Sequence, residues 1–301
     1  MKEKRDSDLQ DIQKKSIEIL MVFKEFCEKH GLLFYLCGGC CIGAVRHKGF
    51  IPWDDDIDVF MPRDDYETLA RLWPEEMADT KYRYCRSSRN EFCRSLVAAI
   101  SDESTAFIKK RQADLDISHG VRLEILPLDG CPASRWKRKL QLCWALIYQI
   151  YINQEAPVSK GRIANLAGRI MLALCPGWKL RFYIAEYAQR HMSKYSFGSA
   201  SRVTELCARF DPMLREYPAE AFKSAVYMTF EGLEIPVPAG YDTYLNMAFG
   251  DYMKLPPNEE RKPKHDTVQI DPEHSYRIYK GTFYCRQLAV KRTFCRKGTE
   301  T

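Results

Sequence analysis

Four carboxylates fall within five positions of this 301-residue chain: Asp54, Asp55, Asp56 and Asp58. Like charges so crowded raise one another's pKa values unless a cation sits among them. From Asp56 to Phe60 the order is acid, apolar, acid, apolar, apolar, which has the period of a strand. Asp56 and Asp58 then share one face, and Ile57 and Val59 take the other. Carboxylates two residues apart stand about 7 Å apart along a strand and can share one or two hard cations. By the same alternation Asp55 points to the opposite face, and Asp54 falls in the loop before the strand. Upstream, Gly38-Gly39 interrupts the short apolar run Phe34 to Cys37, and Cys40 to His47 reads as a short helix. Strand, double glycine and helix N-terminus together let backbone N–H groups approach phosphate. The chemistry suggested is that of a divalent cation facing a phosphate-bearing substrate.

The surrounding elements must hold these groups. Leu9, Ile12, Ile17, Leu20, Phe23, Phe26 and Cys27 recur with helical spacing over 8–30, ending near Gly31. Pro62 to Trp73 reads as a second helix, with Pro62 at its start and Asp64 and Asp65 in its first turn. Residues 81–85, 95–100 and 121–126 read as strands, and so does 226–238. Residues 240–252 read as a short aromatic helix. Two stretches, 135–153 and 162–187, are apolar with scattered basic residues. Either they are core helices covering the sheet, or they form a basic aromatic surface for a membrane interface. The basic end of the chain, with Arg261, Lys262, Lys264, Lys291, Arg292, Arg296 and Lys297, reads as a solvated tail. The class is mixed α+β with a small mixed sheet.

The run from Gly43-Ala44-Val45-Arg46-His47-Lys48-Gly49 through Phe50-Ile51-Pro52-Trp53 into the acids closely resembles the LicD family. Met61-Pro62-Arg63-Asp64-Asp65-Tyr66, Glu124-Ile125-Leu126-Pro127-Leu128-Asp129-Gly130 and Phe249-Gly250-Asp251-Tyr252 are similar to it too. The resemblance covers roughly residues 20–265. It implies a nucleotidyltransferase-like core over 1–130, helical additions over 131–210 that contact acceptor or membrane, and a completing region over 211–301. It implies a third carboxylate beside the acid pair, Glu124, where the family pattern usually has Asp. Asp56, Asp58 and Glu124 are then the catalytic and metal-binding set, for Mg2+ or Mn2+. Gly38 and Gly39 face the donor phosphates. Arg46 either contacts phosphate or is a solvated helix end. Trp53 either stacks on the donor's cytosine or choline or anchors its loop, and Tyr241, Tyr244, Phe249 and Tyr252 are either core or a choline cage. The reaction implied is transfer of phosphocholine from CDP-choline to a sugar hydroxyl of a glycan or lipid-linked glycan.

Composition leaves that reading room and excludes others. An excess of 46 basic over 40 acidic residues suits phosphorylated substrates or an anionic surface and is too slight to argue for nucleic acid. No run approaches the length of a membrane-spanning helix, and the charged start predicts no leader. The twelve cysteines lack metal-ligand spacing and are expected to be reduced thiols in the cytoplasm, with contact at the inner face of the membrane. Three alternatives remain: transfer of another phospho-alditol or phospho-sugar group, as similar proteins carry out, a glycosyltransferase whose Asp-x-Asp holds a metal against a nucleotide sugar, and an inactive scaffold in glycan assembly.

Overall fold

The computed structural model describes residues 2–156, 161–208, 210–262 and 266–286. In chain order its first half runs α1 (Lys2–His30), β1 (Tyr35–Leu36), α2 (Gly38–His47), β2 (Ile57–Pro62), α3 (Arg63–Glu76), β3 (Tyr82–Cys85), β4 (Ala98–Asp102), β5 (Ala106–Lys109) and β6 (Val121–Gly130). The second half runs α4 (Arg135–Asn153), α5 (Gly161–Leu174), α6 (Trp178–Met192), β7 (Arg202–Thr204), α7 (Phe210–Leu214), β8 (Tyr217–Pro218), β9 (Ala225–Phe230), β10 (Leu233–Pro238), α8 (Tyr241–Phe249) and β11 (Thr267–Asp271). The main sheet has the order β1-β2-β6-β4-β3, and β7, with β8 beside it, continues from the end of β6. β2 and β6 are parallel; the other neighbours are antiparallel. The class is the expected α+β.

The two central strands show why the sequence alternates. Ile57, Val59, Leu123 and Ile125 are fully buried, while Asp58 and Glu124 are only half-buried. One face of each strand is core and the other carries polar groups. Ile19, Leu20, Phe23 and Phe26 of α1 join that core, and Phe26 lies against Trp73 of α3 with ring centroids 4.6 Å apart. At the far end of the same strands, Arg63 donates from Nε and Nη2 to Asp129 Oδ1 and Oδ2 at 2.8 and 2.7 Å. Both side chains are buried, so the bidentate pair ties the start of α3 to the end of β6.

Five expectations need correction. Residues 226–238 form a hairpin, not one strand: Glu231 and Gly232 both take positive φ, 50° and 80°, and reverse the chain between β9 and β10. The stretch 162–187 divides into α5 and α6, because Pro176 cannot continue a helix and Gly177 adopts φ 92°. The basic end is only partly a tail. Residues 267–271 pair with β5, and Tyr276, Tyr284 and Cys285 pack with Ala106 and Ile108. Lys264, Lys291, Arg292, Arg296 and Lys297 lie outside the described residues. The strand expected from Ser95 begins at Ala98, and α2 starts at Gly38, two residues early.

That C-terminal segment covers His119, whose ring centroid lies 5.9 Å from Tyr276 and 4.5 Å from Tyr284. Burial pushes its pKa down to about 4. A histidine buried neutral stabilises the fold above its unfolded-state pKa, and that contribution is lost as pH falls from about 6.5 to about 4, roughly 3 kcal/mol in all. Urea melts should show this acid-side loss, and His119→Gln should flatten it over that window while lowering stability at pH 7. Asp129→Asn should cost about 3–5 kcal/mol at neutral pH, since it strands a buried guanidinium.

Candidate active site

The site begins with strand register. Asp58 of β2 sits directly beside Glu124 of parallel β6, and Glu124 beside Ala99 of β4. Neighbouring strands are about 4.8 Å apart, so the two acids project side by side from one face. On the other flank Cys37 donates its N–H to Asp58 O at 3.0 Å. The row Cys37, Asp58, Glu124, Ala99 thus places small side chains on either side of two carboxylates, which leaves space above them. Phe60 and Leu126, two residues on, line the same space.

The preceding loop is fastened from several directions. Cys40 donates Sγ–H to Asp56 O and accepts the Asp58 N–H, both at 3.4 Å. Gln13 of α1 donates to Asp54 O at 2.8 Å. Asp55 precedes β2, which starts only at Ile57. Its side chain is buried like Ile57 and Val59, while Asp56 and Asp58 are half-buried, and it offers an oxygen within 4.8 Å of ligand atoms of Asp54 and Asp56. A Cβ on Gly39 would run into Asp54 Oδ2, so any side chain there would push that carboxylate aside.

Asp58 is under electrostatic strain. Burial first, then the charges of Asp56, Glu124 and Asp54, push its pKa well above the carboxylate range, with Lys109 acting against them. Its Oδ1 is buried with no hydrogen-bond partner among the described residues. Lys109, at the end of β5, reaches Glu124 Oε1 at 2.8 Å. An orphaned carboxylate oxygen is a group that could take a hard divalent cation, and beside it Asp54, Asp55 and Asp56 bring ligand oxygens within 4.8 Å of one another. Lys109 went unread in the sequence; the only signal was the basic triplet Lys109-Lys110-Arg111 after a short apolar run.

Asp58, Glu124 and Lys109 open on a cleft of about 880 Å³ that also borders Gly38, Gly39, Tyr244 and Phe249. The Gly38 N–H is already engaged, donating to Tyr244 Oη at 2.9 Å. Tyr244 is buried and Phe249 half-exposed, and their rings meet edge to face at 6.4 Å. Tyr252 instead bonds Asp242 at 2.8 Å. Arg46 stands at the other end of α2 and donates to the carbonyls of Tyr252 and Lys254 at 2.7 and 3.4 Å. Trp53 packs against the core with Arg261 over its ring at 5.7 Å. Neither Arg46 nor Trp53 lines the cleft.

The double glycine, the acids and β1 to β4 fall where the chain matches a family model described as LicD/FKTN/FKRP, nucleotidyltransferase domain, over residues 31–107. The chain is also 30% identical over 269 residues to the lipopolysaccharide cholinephosphotransferase LicD of Haemophilus influenzae, an alignment covering 85% of this chain and 96% of that one. The chain belongs to the LicD family. It is an enzyme of the LicD phosphotransferase type. Uncharacterized proteins of Rickettsia prowazekii and Rickettsia typhi are 32% and 30% identical over 65 and 66 residues, 21% of this chain and 24% and 21% of theirs. Glu124 and Lys109 of this LicD-family chain lie beyond the span of the family model.

Two substitutions test the strain. Asp58→Asn should stabilise the cation-free protein by about 1–2 kcal/mol, because an amide can donate to the neighbouring carboxylates that now repel it. The same variant should lose the rise in melting temperature that a divalent cation gives the original chain. Gly39→Ala should displace Asp54 and weaken cation binding, read by titration calorimetry, while the far-ultraviolet dichroism stays the same.

Proposed function

We propose that the chain moves phosphocholine from CDP-choline to a sugar hydroxyl of a surface-glycan precursor, of the lipopolysaccharide or teichoic acid kind, and releases CMP. The observation that carries this reading is the Asp58–Glu124 pair with its orphaned oxygen, at the floor of a cleft wide enough for a nucleotide and an acceptor together. The relative matched over 96% of its length is named as a lipopolysaccharide cholinephosphotransferase, which supports the same choice of donor group and acceptor. The reaction would run in the cytoplasm, at the inner face of the membrane.

In this reading the acceptor oxygen attacks the choline-bearing phosphorus. The new O–P bond forms as the bond from that phosphorus to the bridging oxygen breaks, and CMP departs with the electron pair. Asp56, Asp58 and Glu124 would hold Mg2+ or Mn2+, which supplies charge neutralisation to the diphosphate when bound. Glu124 accepts the acceptor's proton, and Lys109 holds its carboxylate toward the cleft. Gly39 leaves the approach to the acids open, and the first turn of α2 directs its dipole there. Phe249, half-exposed at the cleft, presents an aromatic face on which a quaternary ammonium can rest.

Purified chain with magnesium and a panel of CDP-choline, CDP-ethanolamine, CDP-glycerol and UDP-sugars should release CMP, fastest from CDP-choline. Release of UDP alone would make the chain a glycosyltransferase, and no release from any donor would make it a scaffold. Glu124→Gln should lower CMP release by about 10²–10⁴-fold. Glu124→Asp should be milder, as the shorter acid keeps charge and type. A fully active Glu124→Gln would remove this residue from the mechanism.

A further inference from the structure

We infer that the outer face of α4, α5 and α6 is a docking surface for an anionic lipid bilayer. Charge is the first ground. Residues 131–190 contain ten Lys or Arg and two Glu, a net +8, whereas the whole chain carries +6. The remaining 241 residues therefore carry a net −2, so the basic excess of the chain is gathered into this one region. Its two acids are already engaged: Glu186 by Arg89 and Arg190, and Glu155 by Arg111.

Apolar exposure is the second ground. α5 exposes Leu166, Ile170 and Leu174, spaced by four, as one ridge. α6 exposes Leu180, Tyr183 and Tyr187, and α4 exposes Trp136 and Leu140. Leu174 is 75% exposed and Trp136 79%, with Lys139 Nζ resting 4.9 Å over the indole. The three helices form one layer. Trp144, a turn beyond Leu140, meets Tyr187 edge to face at 5.6 Å. Tyr151 donates to Met171 O at 3.2 Å, and Arg181 caps α5 through the carbonyls of Leu172 and Cys175.

Protein interfaces concentrate aromatic residues but deplete Lys at their centres. Here Lys and Arg alternate with the apolar ridges, the pattern of helices that lie in a lipid interface. No helix among the described residues is long and apolar enough to cross a membrane, so the contact would be peripheral. Asn153, the last residue of α4, borders the catalytic cleft and accepts from Arg111 at 3.2 Å. A lipid-linked acceptor on the docked surface would therefore lie beside the acids.

Vesicle flotation of the full chain tests this. Arg138 is left alone, because it is buried and bonds Glu216, Gln141, Thr204 and the Met213 carbonyl. The chain should float with phosphatidylcholine vesicles containing about 30% phosphatidylglycerol at low salt, and about tenfold less with phosphatidylcholine alone. In about 1 M salt, where the screening length is about 3 Å, most of it should be released. Arg135→Glu/Lys137→Glu/Lys139→Glu, and separately Leu166→Ser/Ile170→Ser/Leu174→Ser, should each abolish flotation with an unchanged melting temperature. Absence of flotation with anionic vesicles would overturn the inference, as would undiminished flotation of both variants. A solution dimer that the serine variant splits, in a chain without vesicle affinity, would reassign the face to self-association. Turnover is not a readout, so loss of the transferase reading would leave these outcomes intact.

Discussion

Everything at the site depends on the parallel pairing of β2 with β6. That register is anchored by burial: Ile57, Val59, Leu123 and Ile125 must all enter the core, and slipping one strand by a residue would turn them out. The consequence for the opposite face is that Asp58 and Glu124 stand next to each other with nowhere else to go. Two like charges at strand spacing, both half-buried, are unfavourable on their own. The hydrophobic effect holds the pair together, and that crowding is what supports the proposed cation.

The segment leading into β2 has little regular structure, yet it is not loose. Gln13 fastens Asp54 from α1, Cys40 fastens Asp56 and Asp58 from α2, and Glu231 accepts the Phe50 N–H from the β9–β10 turn. Gly49 admits no Cβ because Glu231 lies against it, and Gly43 none because the Gly49 carbonyl does. Three distant parts of the chain thus position one acid loop. Such convergence supports the precision that charge placement against a phosphate demands. Cys40 serves here as a small hinge between helix and strand, with burial raising its pKa well above that of a free thiol.

A division of labour follows from the packing. The sheet with α1, α2, α3 and α8 makes one apolar cluster, and α4 with α6 makes another that meets it along β6 and β7. The first carries Asp58 and Glu124; the second lies in the stretch 131–190, where the chain's basic excess is gathered. The C-terminal segment lays Ile270 on the first cluster and otherwise packs with β5. It clasps β5, whose last residue is Lys109, and so supports the cation that faces Glu124.

The sequence by itself determined what short-range periodicity can encode. The acid–apolar alternation after Asp56, the double glycine before a helix and the long α1 were all legible, because each depends on neighbours a few residues apart. It did not foresee how closely Asp54, Asp55 and Asp56 approach one another in the loop before β2. It also divided the end of the chain wrongly, because nothing local says that 267–271 will pair with β5. Tertiary structure alone decided the adjacency of Asp58 and Glu124, 66 residues apart in the chain, and the arrival of Lys109 at the Glu124 carboxylate. It alone turned Arg46 toward the carbonyls of Tyr252 and Lys254, and gave the Gly38 amide to Tyr244. The physical reason is that a residue's face follows from local period, whereas its partner follows from which buried surfaces find each other across the whole fold.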